Sequence, residues 1–349
     1  MPAWFYQRYR CFFDRLAPAA GLAALFWLTA QTMDVFSLEW QLFIAGSVLL
    51  AALIAPIAGY LLFVAAVAYP LYTISIYVAA LALSALVILA FFIRDHLAPL
   101  VLLLSMPLLM TGRMGLLAPF LAGLWWGEWG GVLVGLGSGL WLKLFAGMCG
   151  MSPDLMALGG QPLATGHLIA RFQTANSYQT LIWMANPLAP DAQTLLLHVL
   201  EILGWGLTGY GVGLMRTRME EMPRPGVGLV AGVSLGLLGL ILGSWAIPVG
   251  LALRDTSGTS ISNLLDFLVE CGWNALIAMG TFGLSRYMRR PVAPSKPMRV
   301  DTRPIPAGQA QPAPQPESKP HSGPRPPAWA GPQVREEEAP SDIIMIDLD

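Results

Sequence analysis

Residues 99–147 read PLVLLLSMPLLMTGRMGLLAPFLAGLWWGEWGGVLVGLGSGLWLKLFAG and combine a long apolar run with a regular glycine pattern. Glycine recurs at every fourth position, at Gly123, Gly127, Gly131, Gly135 and Gly139. In a helix this spacing places the glycines along one face, where a second helix can approach until the two backbones touch. We therefore expect this stretch to form the centre of a bundle of close-packed helices.

Three ionisable residues lie in or beside the same apolar run: Arg113, Glu128 and Lys143. Ionisable groups at membrane depth are costly and usually face a bundle interior or a cavity. Arg113 is interpreted as the binding site of an anion or substrate carboxylate, as one half of an ion pair with Glu128 or Glu201, or as an arginine that reaches toward the membrane interface. We expect Lys143 to reach the lipid headgroups and Glu128 to be a loop charge in a turn.

The composition indicates a membrane protein, because 55% of the residues are apolar and only 12% are charged. The fold class predicted is all-α, a polytopic helical membrane bundle of about eight spans with a disordered proline-rich C-terminal tail. The three cysteines, Cys11, Cys149 and Cys271, are widely separated and lack C-x-x-C spacing. Neither a disulfide framework nor a zinc site is indicated, and no metal or cofactor is expected.

A membrane span needs about twenty apolar residues. On that criterion the membrane domain covers residues 16–287. Its predicted spans are 16–33, 40–68, 71–93, 98–126, 131–147, 192–215, 227–253 and 264–287. Tyr69-Pro70 divides the second span from the third, because proline disfavours helical geometry in the residue before it.

Two features of the predicted spans concern packing. Residues 98–126 contain Pro107, Gly112, Gly115 and Pro119, so they form either one broken span or a re-entrant pair of half-spans, with the turn at residues 127–130. Irregular backbone at that depth is tolerated only inside the protein or beside water. The fifth and seventh spans both carry glycine at every fourth position, and we expect them to pack against each other.

The orientation follows from the basic residues. Residues 1–15 form a basic aromatic segment suited to the membrane interface, and further Arg and Lys residues follow the sixth and eighth spans. With eight spans the positive-inside rule places all three groups and both termini in the cytosol. Loop 148–191 then lies outside, where residues 163–184 form an amphipathic helix that lies on the membrane or caps a cavity. A multi-pass protein of the cell (inner) membrane is expected.

Two further groups of polar residues lie within the spans. His198 and Glu201, three residues apart, share a helical face and suit a proton relay or a metal site, although no second acid and histidine pair supports a metal. On span eight a polar face is expected to look into the bundle and to meet His198 or Arg113. The predicted ligand-binding residues are Arg113, Glu128, His198, Glu201, Asp266, Glu270 and Asn274.

The sequence contains no enzyme motif in a suitable structural context. Residues 204–209 match G-x-G-x-x-G, but they lie inside an apolar span without a preceding strand, so dinucleotide binding is rejected. No nucleophile-elbow, zinc-protease or phosphate-loop motif occurs. The segment FLAGLWWGEWGGVLVGLGSGL at 120–140 resembles glycine-rich hairpins in the substrate-binding membrane subunits of vitamin transporters and in sensor membrane domains. That resemblance implies transport or ligand sensing.

The C-terminal region differs from the rest of the chain. Residues 288–340 contain repeated X-Pro units and predict a disordered proline-rich linker. Residues 341–349, SDIIMIDLD, form an acidic-hydrophobic terminal motif that suits docking on a partner's sheet edge or groove. Its alternative interpretation is an inert end or a degradation signal. The predicted partner-binding residues are Asp342, Ile343, Ile344, Met345, Ile346, Asp347, Leu348 and Asp349.

Three functions follow from these features. The first is a non-enzymatic transport or small-ligand-binding membrane component, for which an energising subunit would be a partner. The second is a membrane anchor or assembly scaffold that recruits a cytosolic protein through the C-terminal tip. The third is a membrane enzyme acting on a lipid, with His198, Glu201, Asp266 and Glu270 as the residues available to it. A lipid bilayer is the expected surrounding, and no nucleic acid partner is expected.

Overall fold

The computed structural model describes residues 8–90, 93–161, 165–219, 225–254 and 258–289, and all regular structure in these ranges is helical. The predicted linker beyond residue 289 and the terminal motif at 341–349 lie outside the described residues, as do residues 1–7 of the predicted interfacial segment. The helices are α1 Arg10–Met33, α2 Leu38–Ile54, α3 Pro56–Ile74, α4 Ile76–Ala90, α5 Ile93–Leu104, α6 Met106–Thr111, α7 Leu117–Met148, α8 Thr165–Phe172, α9 Ser177–Ala185, α10 Ala192–Met219, α11 Pro225–Ile241, α12 Ile247–Gly250 and α13 Gly258–Met288. A π-helical turn, Leu242–Ala246, joins α11 to α12.

Among the described residues, six helical segments are long and apolar enough to cross a membrane. They are Phe12–Met33, Pro56–Ile74, Leu117–Met148, Ala192–Met219, Gly226–Gly250 and Asn263–Met288. Helices α2 and α4 are apolar but shorter than eighteen residues. The prediction of a multi-pass helical membrane protein is supported, whereas the predicted count of eight spans is not confirmed.

The predicted break at Tyr69-Pro70 is wrong, because Pro70 lies inside α3. The chain breaks instead at Ala55, whose extended backbone (φ −143°, ψ 112°) precedes Pro56 at the start of α3. A proline fits the first turn of a helix, where its missing N–H is not needed. The same rule applies to both prolines, so the sequence alone does not choose between them. The predicted span 40–68 is therefore divided between α2 and α3.

Helix α7 reverses direction at Gly127, within the predicted turn. Its backbone there (φ 74°, ψ −164°) is not helical. A Cβ atom added to Gly131 would lie 3.0 Å from the Cα atom of Gly123, although eight residues of straight helix span about 12 Å. Residues 117–126 and 128–148 therefore form a hairpin. The first arm, about 15 Å long, is too short to cross a bilayer.

The segment before this hairpin is also interrupted. Helices α5 and α6 have twelve and six residues, and residues 112–116 connect them to α7 without regular helix. The predicted span 98–126 thus consists of two short helices, an irregular connection and the first arm of α7. No single one of these pieces is long enough to cross a membrane alone.

Helix α10 lies between α7 and α11. A Cβ atom on Gly123 or Gly131 of α7 would overlap the carbonyl group of Gly209 in α10. On its other side, Gly204 of α10 meets Gly243 of the π-helical turn, where an added Cβ atom would lie 2.9 Å from the Cα atom. The expectation that the fifth and seventh spans pack against each other is therefore wrong. Both pack on α10 because its own glycines leave two of its faces open to close approach.

Basic residues collect at one end of the bundle. Arg289, just after α13, pairs with Asp14 of α1 at 3.5 Å, so the start of α1 and the end of α13 lie together. Met219, at the end of α10, lines the same small cavity as Arg286 of α13. The ends that carry the three basic groups of the sequence therefore share one side of the bundle. That this side faces the cytosol remains a prediction.

Loop 148–191 contains an irregular segment and two short helices, rather than the single helix predicted at 163–184. Leu168 and Phe172 of α8 are buried with Ile74 and Val78, so the apolar face of α8 packs on the bundle. A capping box of Asn176 and Gln179 begins α9, since each side chain bonds the other residue's backbone N–H. The loop therefore covers the end of the bundle opposite to the basic residues.

Candidate functional site

A buried ion pair joins α7 to α10. The side chains of Lys143 and Glu201 are both 0% exposed, and Lys143 Nζ donates to Glu201 Oε2. Lys143 Nζ also donates to the Pro153 carbonyl oxygen at 2.7 Å and lies 2.7 Å from His198 Nδ1. The prediction that Lys143 reaches the headgroups is wrong, because α10 supplies Glu201 as its partner inside the bundle.

Two residues from connecting segments complete this group. Arg254, after α12, donates from Nη1 and Nη2 to the two carboxylate oxygens of Asp154 at 2.8 and 2.6 Å. Its Nη2 atom also donates to Glu201 Oε1. We call Lys143, Asp154, His198, Glu201 and Arg254 the charged cluster. With a neutral imidazole its two cations and two anions balance, as buried charges require.

The ion pair of Asp154 with Arg254 lies outside the helices. Burial raises the pKa of the Asp154 carboxyl, but the hydrogen bonds and positive charge of Arg254 outweigh this effect, so its pKa lies below the ordinary value. Burial lowers the pKa of the Arg254 guanidinium, but Asp154 and Glu201 together raise it above its usual range. Both groups are therefore ionised at neutral pH.

A second polar group surrounds Arg113 in the irregular connection between α6 and α7. Arg113 has a left-handed backbone (φ 57°). Asn274 Nδ2 donates to the carbonyl oxygens of Arg113 and Glu270, both at 2.8 Å. Because Asn274 lies near the middle of the apolar segment Asn263–Met288, the irregular backbone at Arg113 lies at membrane depth. We call Arg113, Glu270 and Asn274 the Arg113 site.

The Arg113 site has unused hydrogen-bonding capacity. Glu270 Oε1 and Asn274 Oδ1 are buried and have no hydrogen-bond partner among the described residues. The exposed side chain of Arg113 makes no ion pair within 4.0 Å in the described ranges, although its charge acts on Glu270. One positive donor group and two buried acceptor atoms are therefore without a partner among the described residues.

The loop of residues 153–160 contacts both groups. At its start the Pro153 carbonyl oxygen binds Lys143 and Asp154 binds Arg254. At its end, a Cβ atom on Gly160 would lie 3.1 Å from Arg113 Cγ, and one on Gly159 would overlap the Glu270 carboxylate. The loop packs this closely because neither glycine has a side chain. The start of the loop therefore contacts the charged cluster, and its end contacts the Arg113 site.

The residues predicted to bind a ligand divide into these two groups. His198 and Glu201 belong to the charged cluster, whereas Arg113, Glu270 and Asn274 form the Arg113 site. The suggested pairing of Arg113 with Glu201 is wrong, since Glu201 binds Lys143 and Arg254. That the polar face of α13 meets Arg113 agrees with the hydrogen bond from Asn274. Whether any of these residues binds a ligand is untested.

Two predicted residues lie apart from both groups. Glu128 is half-buried at the hairpin turn beside Gly213, about 22 Å along α7 from Lys143. Asp266 is exposed on α13. Asn274, eight residues further along the same helix, is buried, so the two side chains lie in different environments.

Sequence reasoning missed Asp154 and Arg254 altogether. Each lies in a short connection next to apolar residues, where a charge is ordinarily solvated. The signal that was available is charge balance, because a buried Lys143 and Glu201 with one further carboxylate require one further cation. Nothing in the local sequence identifies which cation it is.

The described residues offer no metal site, since no three His, Cys, Asp or Glu side chains among them come together. A separate cavity of about 210 Å³ is lined by residues of α1, α3, α4, α5, α6, α7 and α8. The described residues that line it, among them Leu25, Val67 and Trp141, are apolar apart from two threonines. It suits an acyl chain of the bilayer better than a polar ligand.

Comparisons of the chain with protein-family models, with curated proteins and with solved structures find no match.

Proposed function

We propose that this membrane protein is a non-enzymatic transport component that binds a small zwitterionic ligand, such as an amino acid, at the Arg113 site. The observation that carries the proposal is the guanidinium of Arg113, which lies at an interrupted helix at membrane depth and makes no ion pair with the described residues. Transporters commonly bind substrates where helices are interrupted near the bilayer midplane. An intramembrane arginine is by default a functional residue.

The chemistry of the ligand follows from the atoms that remain free. The Arg113 guanidinium matches a carboxylate, which it can bind through two parallel hydrogen bonds. Glu270 Oε1 and Asn274 Oδ1 accept hydrogen bonds and suit an ammonium group. A ligand with both groups leaves the site neutral, whereas acetate or methylammonium alone satisfies one half of it.

Ligand-induced stabilisation of the purified full-length protein tests this proposal. The common L-amino acids, acetate, succinate, methylammonium and inorganic phosphate serve as probes, each added singly during thermal unfolding. A probe at about 100 times its Kd stabilises the folded protein by about 2.7 kcal/mol. We expect at least one amino acid to raise the unfolding temperature more than the acids or the amine do.

Variants assign the effect to Arg113. Arg113→Gln removes the charge and should abolish the stabilisation, while Arg113→Lys keeps the charge without the planar fork and should retain a part of it. Arg218→Gln, which changes an exposed arginine at the far end of α10, is the matched control. Equal stabilisation of the wild type and Arg113→Gln, or none by any amino acid, would overturn the proposal.

A further inference from the structure

The charged cluster has no part in binding the ligand proposed above, yet it contains a histidine held in one defined hydrogen-bonding state. An ammonium group carries three protons, and Lys143 Nζ has three neighbours within hydrogen-bond distance: Pro153 O, His198 Nδ1 and Glu201 Oε2. With all three donors used in this way, His198 Nδ1 is an acceptor. The neutral imidazole then carries its proton on Nε2.

The Nε2 atom of His198 is buried and finds no hydrogen-bond acceptor among the residues that the structure describes. A salt bridge that only held the loop in place would need Lys143, Glu201, Arg254 and Asp154, whose charges already balance. The imidazole adds a titratable group to a complete ion-pair network.

We propose that His198 is the binding site of a proton that is coupled to ligand transport. A hydronium ion on the loop side transfers its proton to Nδ1 and leaves as water, and the new N–H bond uses the lone pair that had accepted the hydrogen bond from Lys143. The imidazolium and the ammonium, 2.7 Å apart in the neutral state, then repel each other. Lys143 Nζ must move, and its hydrogen bond to the Pro153 carbonyl oxygen breaks. The cluster gains one positive charge and loses two hydrogen bonds of Lys143, those to His198 and Pro153.

The surroundings of the imidazole determine this response. Lys143 faces it from α7, Glu201 lies on its own helix at 3.6 Å from Nδ1, and Arg254 and Asp154 adjoin Glu201 from two connecting segments. Movement of Lys143 frees the Pro153 carbonyl at the start of the 153–160 loop, while Asp154 keeps its bonds to Arg254. The end of the same loop packs on Arg113 and Glu270 through Gly160 and Gly159. Proton binding at His198 therefore alters the Arg113 site through one loop of eight residues.

This inference rests on the proposed function, and uptake by reconstituted vesicles tests it. Full-length protein in vesicles of phosphatidylethanolamine and phosphatidylglycerol is given a mixture of ¹⁴C-labelled L-amino acids, with and without an inward pH gradient. One proton per ligand makes a gradient of one pH unit worth about 1.4 kcal/mol, or a tenfold rise in accumulation. We expect that rise for the wild type.

Two histidine variants assign the coupling. His198→Gln should reduce accumulation to the level without a gradient while retaining ligand-induced stabilisation. His167→Gln, at an exposed histidine of α8, should retain the full response. The inference is overturned if the pH gradient does not raise accumulation by the wild type, or if it raises accumulation by His198→Gln as it does for the wild type. Uptake that needs Arg113 but ignores the gradient would contradict this inference alone, whereas the absence of Arg113-dependent uptake would contradict the proposed function.

Spectroscopy measures the protonation of the His198 ring nitrogens independently of transport. In protein labelled with ¹⁵N-histidine, the signals absent from His198→Gln identify this imidazole. At neutral pH we expect its proton on Nε2 and an acceptor at Nδ1, and at lower pH a proton on both atoms. A proton on Nδ1 at neutral pH would contradict the geometry, and an unchanged neutral ring down to the pH at which the protein unfolds would contradict proton binding.

Discussion

Lys143 and Glu201 lie on different helices, α7 and α10, and form an ion pair in which neither side chain is exposed. Charges of this kind are stable inside a protein only when they are paired and hydrogen-bonded. Each has further partners here, since Lys143 binds the Pro153 carbonyl and Glu201 binds Arg254. The pair therefore connects two helices and two loops at one end of the bundle.

The first prediction concerns the two charges of this pair. Glu201→Met should lower the free energy of unfolding by about 3–5 kcal/mol, because it leaves the Lys143 ammonium buried without its carboxylate. Lys143→Met combined with Glu201→Met should restore part of the loss, since both charges are then gone. Reversible unfolding in mixed detergent micelles measures both variants. A double variant no more stable than Glu201→Met alone would contradict this view of the pair.

The second prediction concerns the contact between α7 and α10. A Cβ atom on Gly209 would overlap the Gly131 carbonyl group, whereas one on Gly280 of α13 would meet no atom within 4 Å. Gly209→Ala should lower the free energy of unfolding by about 1–3 kcal/mol, as overpacking does, and Gly280→Ala should leave it nearly unchanged. Equal unfolding temperatures for the two variants would show that the helices do not touch at Gly209.

The third prediction concerns the reversal of the chain at Gly127. Its backbone lies in a region that essentially only glycine adopts, while the space around a Cβ atom is open. Gly127→Ala should therefore cost about 1–3 kcal/mol through backbone strain alone. Gly46→Ala, at another open position with an ordinary backbone, is the control. If both variants unfold at the same temperature, Gly127 does not form the turn.

The fourth prediction concerns pH and the ion pair of Asp154 with Arg254. Because the pKa of Asp154 in the folded protein lies below its ordinary value, its contribution to stability is present above about pH 4 and is lost as the pH falls further. The wild type should exceed Asp154→Asn in unfolding temperature at neutral pH, and the difference should shrink below about pH 4. A difference that stays constant with pH would contradict an ionised pair.

Much of the architecture follows from the sequence because apolar length and glycine spacing are local signals. The turn at Gly127 and the interruption near Arg113 were both expected from glycine and proline positions. The helix that packs on these glycine faces was not predicted. Both α7 and α11 carry one glycine face, whereas α10 carries two such faces and packs on both of them. Likewise, Pro56 and Pro70 obey one rule, and packing decides which of them ends a helix.

The candidate sites show the same limit. His198 and Glu201 were recognised from their spacing, and Asn274 and Glu270 from the polar face of α13. The prediction for Lys143 is wrong because the charges that balance the buried cluster, those of Arg254 and Asp154, come from distant connections. The local sequence around Lys143 therefore does not indicate its burial. Pairings across more than fifty residues leave no periodic trace in a single sequence.

The proposed role of Arg113 is to bind the ligand that this protein carries. We would measure uptake of ¹⁴C-labelled L-amino acids by vesicles containing wild type, Arg113→Gln or Arg218→Gln, with each protein checked for equal incorporation and folding. We expect saturable uptake by the wild type and Arg218→Gln, and a loss of at least about tenfold for Arg113→Gln, or roughly 1.4 kcal/mol. Equal uptake by all three proteins, or uptake no greater than that of empty vesicles, would contradict it.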